Sequence, residues 1–380
     1  MPHVEEAIVR LGSRLSYGEA EEELERMWRV KVPKSTVRNT TLKNGQIADQ
    51  LIKEQVAQLN QGEGEESLDV AVDQLVVSAD GAMICTTTEG WKEVKTVAFG
   101  KYDLIWDAKK HEVRTQTGEF SYFSRFEPAT QFGESAVYEW ARRKGDRAKK
   151  VVAVNDGALW IQSFIDYHCP KATRVIDFAH AKGYVAEIGR LIHGTETDAF
   201  RTWYQKMSKQ LGKIPPQRTL ADLRFLQNSH SDHPNEAEIA QAIGYLERRT
   251  QMIDYPHFRK EGIPIGSGMV ESGHKVVMQR RMKQAGMRWK TDNINPMLAL
   301  RMALCNQRWD ETWLKIQTLS RQRRSTSDKV ENFEEADSRV TRVIGEKDIT
   351  NLKKLAKKIG SQKQRPPWKD HRAIFPHRYH

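Results

Sequence analysis

The sequence predicts a mixed α/β fold. A sheet flanked by helices carries an all-helical insertion and follows an N-terminal segment that resembles a helix-turn-helix. Three observations lead there. Two β-branched runs, Leu68–Gly81 and Lys149–Gly157, each end in Asp-Gly. A third run, Ala172–His180, ends in Asp177-x-x-His180. Residues 182–260 then show helical periodicity and no convincing strand. Strands separated by helices build a mixed α/β sheet.

In chain order, residues 1–59 read as helical. Ala20, Leu24, Met27 and Trp28 fall at helical spacing opposite a glutamate-rich face. Val30 and Val32 form a short connection, and Pro33 opens a second helix bearing Lys34, Arg38 and Lys43, with Val37 turned inward. A helix, a short turn and a basic helix make the helix-turn-helix outline, which simple helical packing produces as well. Gln61–Glu66 reads as a linker. Trp91–Phe99 alternates as a strand, and Lys101–Trp106 continues it or begins another. Gly133–Arg143 reads as a helix, as do 182–192, 198–211, 219–228 and 237–254 in the insertion. A basic helix follows Glu271, then helices over 295–319 and 347–359, and an irregular Pro- and aromatic-rich end.

The 380 residues allow two or three domains. The formal net charge of +11 points to a polyanionic partner, most often nucleic acid. That charge is concentrated. Residues 321–380 hold sixteen Lys/Arg against eight Asp/Glu, and 272–290 hold six basic residues and no acid, so the rest of the chain is slightly acidic. Three cysteines, Cys85, Cys169 and Cys305, without a C-x-x-C pair argue against a disulfide scaffold or structural zinc and for a reducing cytoplasm. There is no long apolar core of a signal peptide at the N-terminus and no apolar run of bilayer length.

The chemistry-bearing residues are acidic. Hard divalent cations take oxygen ligands, and two of them about 4 Å apart clamp the attacking and leaving oxygens of a phosphoryl transfer. Carboxylates at neighbouring strand ends, completed by one on a helix, suit such a site. Asp80, Asp156 and Glu271 fit, each beside a glycine-marked turn. Asp-Gly taken singly is a common turn dipeptide. Asp177 is an equal candidate ligand, and His180 is a candidate metal or substrate contact. Lys275, Arg280, Arg281, Lys283, Arg288 and Lys290, after Glu271, are candidate phosphate contacts together with Lys34 and Arg38. Trp160 and Trp289 are either stacking platforms for an extruded base or, as tryptophans more often are, buried.

The run IPIGSGMVESGHKVVMQRRMKQAGMRWKTDNINPMLALRMALCNQRW, the segment VNDGALWI…PKATRVIDFAHAKGYV and the segment YGEAEEELERMW…VPKSTVRNTT resemble DDE-type insertion-sequence transposases of the ISKra group. The resemblance covers most of residues 10–310 and is most specific over 263–309. It implies an RNase H-like core with a DDE triad: Asp80 first, Asp156 second and Glu271 third, with Asp177 the alternative second member. It divides the chain into a helix-turn-helix-like DNA-binding segment (1–60), the core's first part (67–185), a helical insertion (186–262), the core's second part with the Glu-bearing helix (263–320) and a basic tail (321–380). The chain begins closer to the helix-turn-helix segment than the family pattern implies, which points to a missing N-terminal portion.

The expectation is therefore a cytoplasmic, nucleoid-associated, bacterial-type DNA transposase. It uses two Mg²⁺ or Mn²⁺ ions for strand cleavage and strand transfer at an element's ends. Its partners are terminal inverted repeats and target DNA, it acts as a homo-oligomer on DNA, and it has no membrane partner. The rivals are a nuclease that cuts without joining and a catalytically silent relic that only binds DNA.

Overall fold

The computed structural model describes residues 2–63, 72–108 and 111–323. Most of the basic tail, its expected helix at 347–359 and the expected strand residues 68–71 lie outside them. Helices α1 (Pro2–Gly12), α2 (Tyr17–Trp28) and α3 (Lys34–Asn60) come first. A capping box starts α2: Ser16 Oγ accepts from Glu19 N, and Glu19 Oε2 accepts from Ser16 N. Left-handed Arg29 ends it. Ala7, Ile8, Ala20, Leu24, Val32 and Val37 form a small core between the three helices. Met27 and Trp28, expected on the inner face, are exposed. Helix α3 runs for 27 residues, and its far half is packed, with Ile47, Ala48 and Ile52 buried. The three helices belong to the same compact unit as the sheet, Met1–Ile316.

Five strands follow: β1 (Gln74–Cys85), β2 (Trp91–Asp107), β3 (Glu112–Arg125), β4 (Lys150–Asn155) and β5 (Thr173–Ile176). They form one mixed sheet in the order β3-β2-β1-β4-β5. The β1–β2 and β2–β3 pairs are antiparallel; β1–β4 and β4–β5 are parallel. Strand β1 does not end at Asp80-Gly81, contrary to the reading of that dipeptide as a turn. Asp80 pairs with Thr96 and the strand runs on to Cys85. Its pairing with β4 stops at Val77↔Ala153, so beyond that point β1 is paired through β2 alone. Strand β3 has no counterpart in the sequence reading. Its outer half is polar and projects with the exposed end of β2, where Leu104 and Trp106 face solvent.

Helices α4 (Ala129–Ser135) and α5 (Val137–Arg142) replace the single helix expected there. Helix α6 (Leu159–His168) links β4 to β5. Helices α7 (Phe178–His193), α8 (Asp198–Lys213), α9 (Pro216–Asn228), α10 (Glu236–Glu247) and α11 (Tyr255–Lys260) make the helical block, in which α7 packs on α8 and α10. Helix α12 (Gly268–Gly273) carries Glu271. It passes into a π-helical turn, His274–Gln279, and then α13 (Arg280–Met282). Helix α14 (Ile294–Cys305) is almost wholly buried and crosses α3. A further helix begins at 309, where Trp309, Trp313 and Ile316 are buried. No helix among the described residues is long and apolar enough to cross a membrane.

Ion pairs lock α3 and the helix at 309 onto this frame. Arg125, 1% exposed at the end of β3, pairs with Asp49 of α3 and with Glu127 (2.9 Å). Arg142 grips Glu311 through two bonds of 3.0 and 2.7 Å, and Lys315 adds a third at 2.8 Å. Removing one partner of a buried pair strands the other charge. Asp49→Ala leaves Arg125 with Glu127 as its remaining carboxylate and is expected to destabilise the fold by about 2 kcal/mol in urea denaturation. Partial burial raises the Glu311 pKa, but the bonds to Arg142 and Lys315 outweigh this and bring it from 4.5 to about 2. A carboxylate with a depressed folded pKa stabilises above its unfolded pKa and loses that contribution as pH falls through the folded value. Glu311→Gln is expected to flatten the stability loss of the wild type between pH 4.5 and about 2, measured as melting temperature against pH.

Candidate functional site

The site is built where β4 ends beside the middle of β1. Asn155, the last residue of β4, is buried, and its Oδ1 accepts from Ala79 N at 2.6 Å. This side-chain bond continues the β1–β4 connection two residues past the backbone ladder. Asp80 and Asp156 are the residues that follow Ala79 and Asn155, the two partners of this bond.

Asp80 Oδ1 accepts from Gly81 N at 2.7 Å, and its Oδ2 lies 3.4 Å from His274 Nε2. His274 is 4% exposed and follows Glu271 by three residues. Gly273, beside it, rests against the sheet: a Cβ there would stand 2.7 Å from Tyr122 and 3.5 Å from Thr96, the β2 partner of Asp80. The helix bearing Glu271 therefore crosses the sheet at Asp80, with Glu271 itself exposed. A π-helical turn one step later is a geometry that recurs at functional sites.

Asp156 Oδ1 accepts from Ala158 N at 2.9 Å. The next residue, Gly157, has φ +82° and lies so close under Tyr245 that a Cβ would come within 2.5 Å of its hydroxyl. Only glycine suits both conditions. Tyr245 and Arg249, from the helical block, hold this turn by its carbonyls. The Tyr245 hydroxyl donates to Asp156 O, and Arg249 Nη2 donates to Gly157 O at 3.2 Å. The Arg249 guanidinium lies over the Tyr245 ring at 3.9 Å, and Tyr184 stacks on that ring at 4.0 Å. Burial pushes the Tyr245 hydroxyl up to about 12 against the pull of Arg249, so it remains a donor at neutral pH.

Asp177 is placed differently. It caps α7, with Oδ1 accepting from His180 N at 2.8 Å. Its Oδ2 accepts from Ser267 N at 2.7 Å and Ser267 Oγ at 3.0 Å. Both oxygens are thus committed to holding the loop that leads into α12. His180 lies edge-on to Tyr184 and Tyr245, within the aromatic cluster.

The basic run after Glu271 is not the single helix expected. It breaks after α13, and Trp289 stitches the following segment to the end of β1: Trp289 N donates to Cys85 O at 3.0 Å, and Thr87 N donates to Trp289 O at 2.9 Å. Lys275, Arg280, Lys283, Arg288 and Lys290 are exposed, as are Lys34 and Arg38 on the first turns of α3. Arg281 is an exception. It is 1% exposed and donates to Gly12 O at 2.9 Å, so it does not offer its charge at the surface. Trp289 is buried and donates to Met282 O at 2.9 Å; Trp160 packs edge-on against Phe132.

Asp80, Asp156 and Glu271 supply only oxygen donors, which suits a hard cation such as Mg²⁺ or Mn²⁺. Mg²⁺ is commonly held by one or two carboxylates, with water and substrate phosphate completing its shell, and the carboxylates of Asp80 and Asp156 fit that demand in kind. Among the described residues no three His, Cys, Asp or Glu side chains converge as a ready-made cage.

The sequence reading assigns no individual role to Asn155, Ser267, His274, Tyr245 or Arg249. Asn155 had a signal, a polar residue closing an apolar strand. Tyr245 and Arg249 had none, because a helical i, i+4 pair gives no hint of which distant turn it meets. Asp177→Ala removes a helix cap and the Ser267 anchor. It is expected to cost about 2 kcal/mol in urea denaturation, with Asp156→Ala near neutral in the same measurement. No protein-family model matches this chain, and neither does any curated protein.

Proposed function

We propose that this chain is a DNA transposase of the DDE type, with the five-stranded sheet as an RNase H-like core. The observation that carries the reading is that Asp80 and Asp156 each directly follow a partner of the Ala79–Asn155 bond, with the Glu271 helix laid across β1 at Asp80. The concentrated positive charge and the exposed cations after Glu271 support a nucleic-acid partner.

In this reading Asp80, Asp156 and Glu271 hold the divalent ions. Bound there, Mg²⁺ or Mn²⁺ would supply Lewis acidity, with an activated water as nucleophile for cutting a phosphodiester and the freed 3′-OH as nucleophile toward target DNA. The protein's own groups orient the reactants. Asn155 keeps β4 beside β1 past the last backbone pair. Tyr245 and Arg249 steady the turn that carries Asp156. Asp177 and Ser267 set the entry of the Glu271 helix, so Asp156 rather than Asp177 is the second triad member. Lys275, Arg280 and Lys283 receive phosphate. The same reading places the protein as a homo-oligomer on element ends in a bacterial-type cytoplasm.

The absence of a converged three-ligand cluster among the described residues favours a second reading, a silent relic that binds DNA without cutting it. One experiment separates the two. Purified protein is incubated with Mg²⁺ and a plasmid carrying the DNA that flanks this reading frame. The transposase nicks and joins it, a nuclease only nicks it, and the relic does neither. Asp80→Asn, Asp156→Asn and Glu271→Gln are each expected to lower cleavage by at least about 10²-fold while DNA binding persists. Undiminished cleavage by all three variants rules the triad out.

A further inference from the structure

Two basic segments far apart in sequence meet at one cleft. Lys34 and Arg38 come from the start of α3; Arg288 and Lys290 come from the segment after α13. The cleft holds about 500 Å³, within the range of small-molecule and nucleotide sites. Leu42 and Met287 give it an apolar surface, and among the described residues no carboxylate lines it. Four exposed cations around a concave surface without an acidic partner repel one another unless an anion lies between them.

A fifth cation stands beneath them. Arg281 lines the same cleft, buried between the Tyr17 ring at 4.6 Å and the Trp289 ring at 5.2 Å. The Tyr17 hydroxyl interacts with its guanidinium, yet neither that hydroxyl nor Arg281 Nη2 completes a well-aligned hydrogen bond. Among the described residues no carboxylate pairs with Arg281, and Glu19 acts on it only weakly through space. A buried guanidinium with an unmet donor and no counter-ion is costly on its own. An anion in the cleft offsets that cost.

We propose that this cleft is a DNA-backbone site. A phosphodiester is held among Lys34, Arg38, Arg288 and Lys290, and its sugar or base rests on Leu42 and Met287. The proposal rests on the DNA reading above and gives it a location. Trp289, at the cleft wall, is bonded to Cys85 on β1, and Cys85 lies five residues along that strand from Asp80, about 17 Å at strand rise. The cleft thus grips the duplex outside the carboxylate site and couples α3 to the Glu271 segment.

The test is duplex-oligonucleotide binding by fluorescence anisotropy across a series of KCl concentrations, with the full chain. The double variant Arg38→Gln/Lys290→Gln removes two exposed charges and should keep the wild-type melting temperature. It is expected to bind at least tenfold more weakly at moderate salt, with the log–log salt slope shallower by about 2, one unit per lost phosphate contact. Lys206→Gln/Lys209→Gln, an equal charge change on exposed positions of α8, is expected to match wild type. Wild-type affinity in the Arg38/Lys290 variant overturns the cleft assignment and leaves the DNA reading standing. Equal losses in both variants assign binding to diffuse charge and also overturn it. Failure of the wild type to bind duplex at any salt overturns the DNA reading itself.

Discussion

The carboxylate of Asp177 is the hinge on which the arrangement turns. After β5 the chain leaves through α7 and four more helices before it returns at Ile265. Closing so long an excursion costs conformational entropy, and the return must be fastened in place. Asp177 does this with three bonds, one to the first turn of α7 and two to Ser267, while Phe178 N donates to Ile265 O at 2.9 Å. The outgoing and returning chains are thereby tied at one point, and α12 starts next to the sheet. Without that tie Glu271 has no reason to lie across Asp80.

Around this point the polar groups are nearly all employed in placing backbone. Asn155 extends the contact of β4 with β1, Tyr245 and Arg249 hold the Asp156–Gly157 carbonyls, and Arg281 and Arg301 hold the Gly12 and Ser13 carbonyls at the end of α1. Arg301 also donates to the carbonyls of Val276 and Val277 in the π-helical turn. Buried donors matched to backbone acceptors fix elements relative to one another, because an unmet partner in a dry interior is expensive. Among the four acidic candidates the engagement differs: Asp177 has both oxygens bonded to the protein, Asp80 meets Gly81 N and His274, Asp156 accepts one bond from Ala158 N, and Glu271 is exposed.

Much of the candidate site was legible because chemistry and local pattern coincide there. The strands β1, β4 and β5 announced themselves as β-branched runs, and each led to its aspartate. What misled was local too. Asp80-Gly81 reads as a turn, yet it lies within a strand because β2 continues to pair with β1 after β4 has stopped. The polar outer half of β3 carries no alternation, so its pairing with β2 had to be seen. The basic stretch after Glu271 reads as one helix, yet Trp289 finds Cys85 and Thr87 as backbone partners and the helix gives way.

The sequence by itself determined the class of the fold, the acidic residues available for metal chemistry and the two places where positive charge gathers. Those follow from residue type and periodicity, which are local properties. Only the tertiary structure shows both Asp177 oxygens bonded to His180 and Ser267, withdraws Arg281 from the surface, and brings Lys34 and Arg38 to one cleft with Arg288 and Lys290. Each of these depends on which distant donor or strand a side chain meets, and no window of neighbouring residues contains that information.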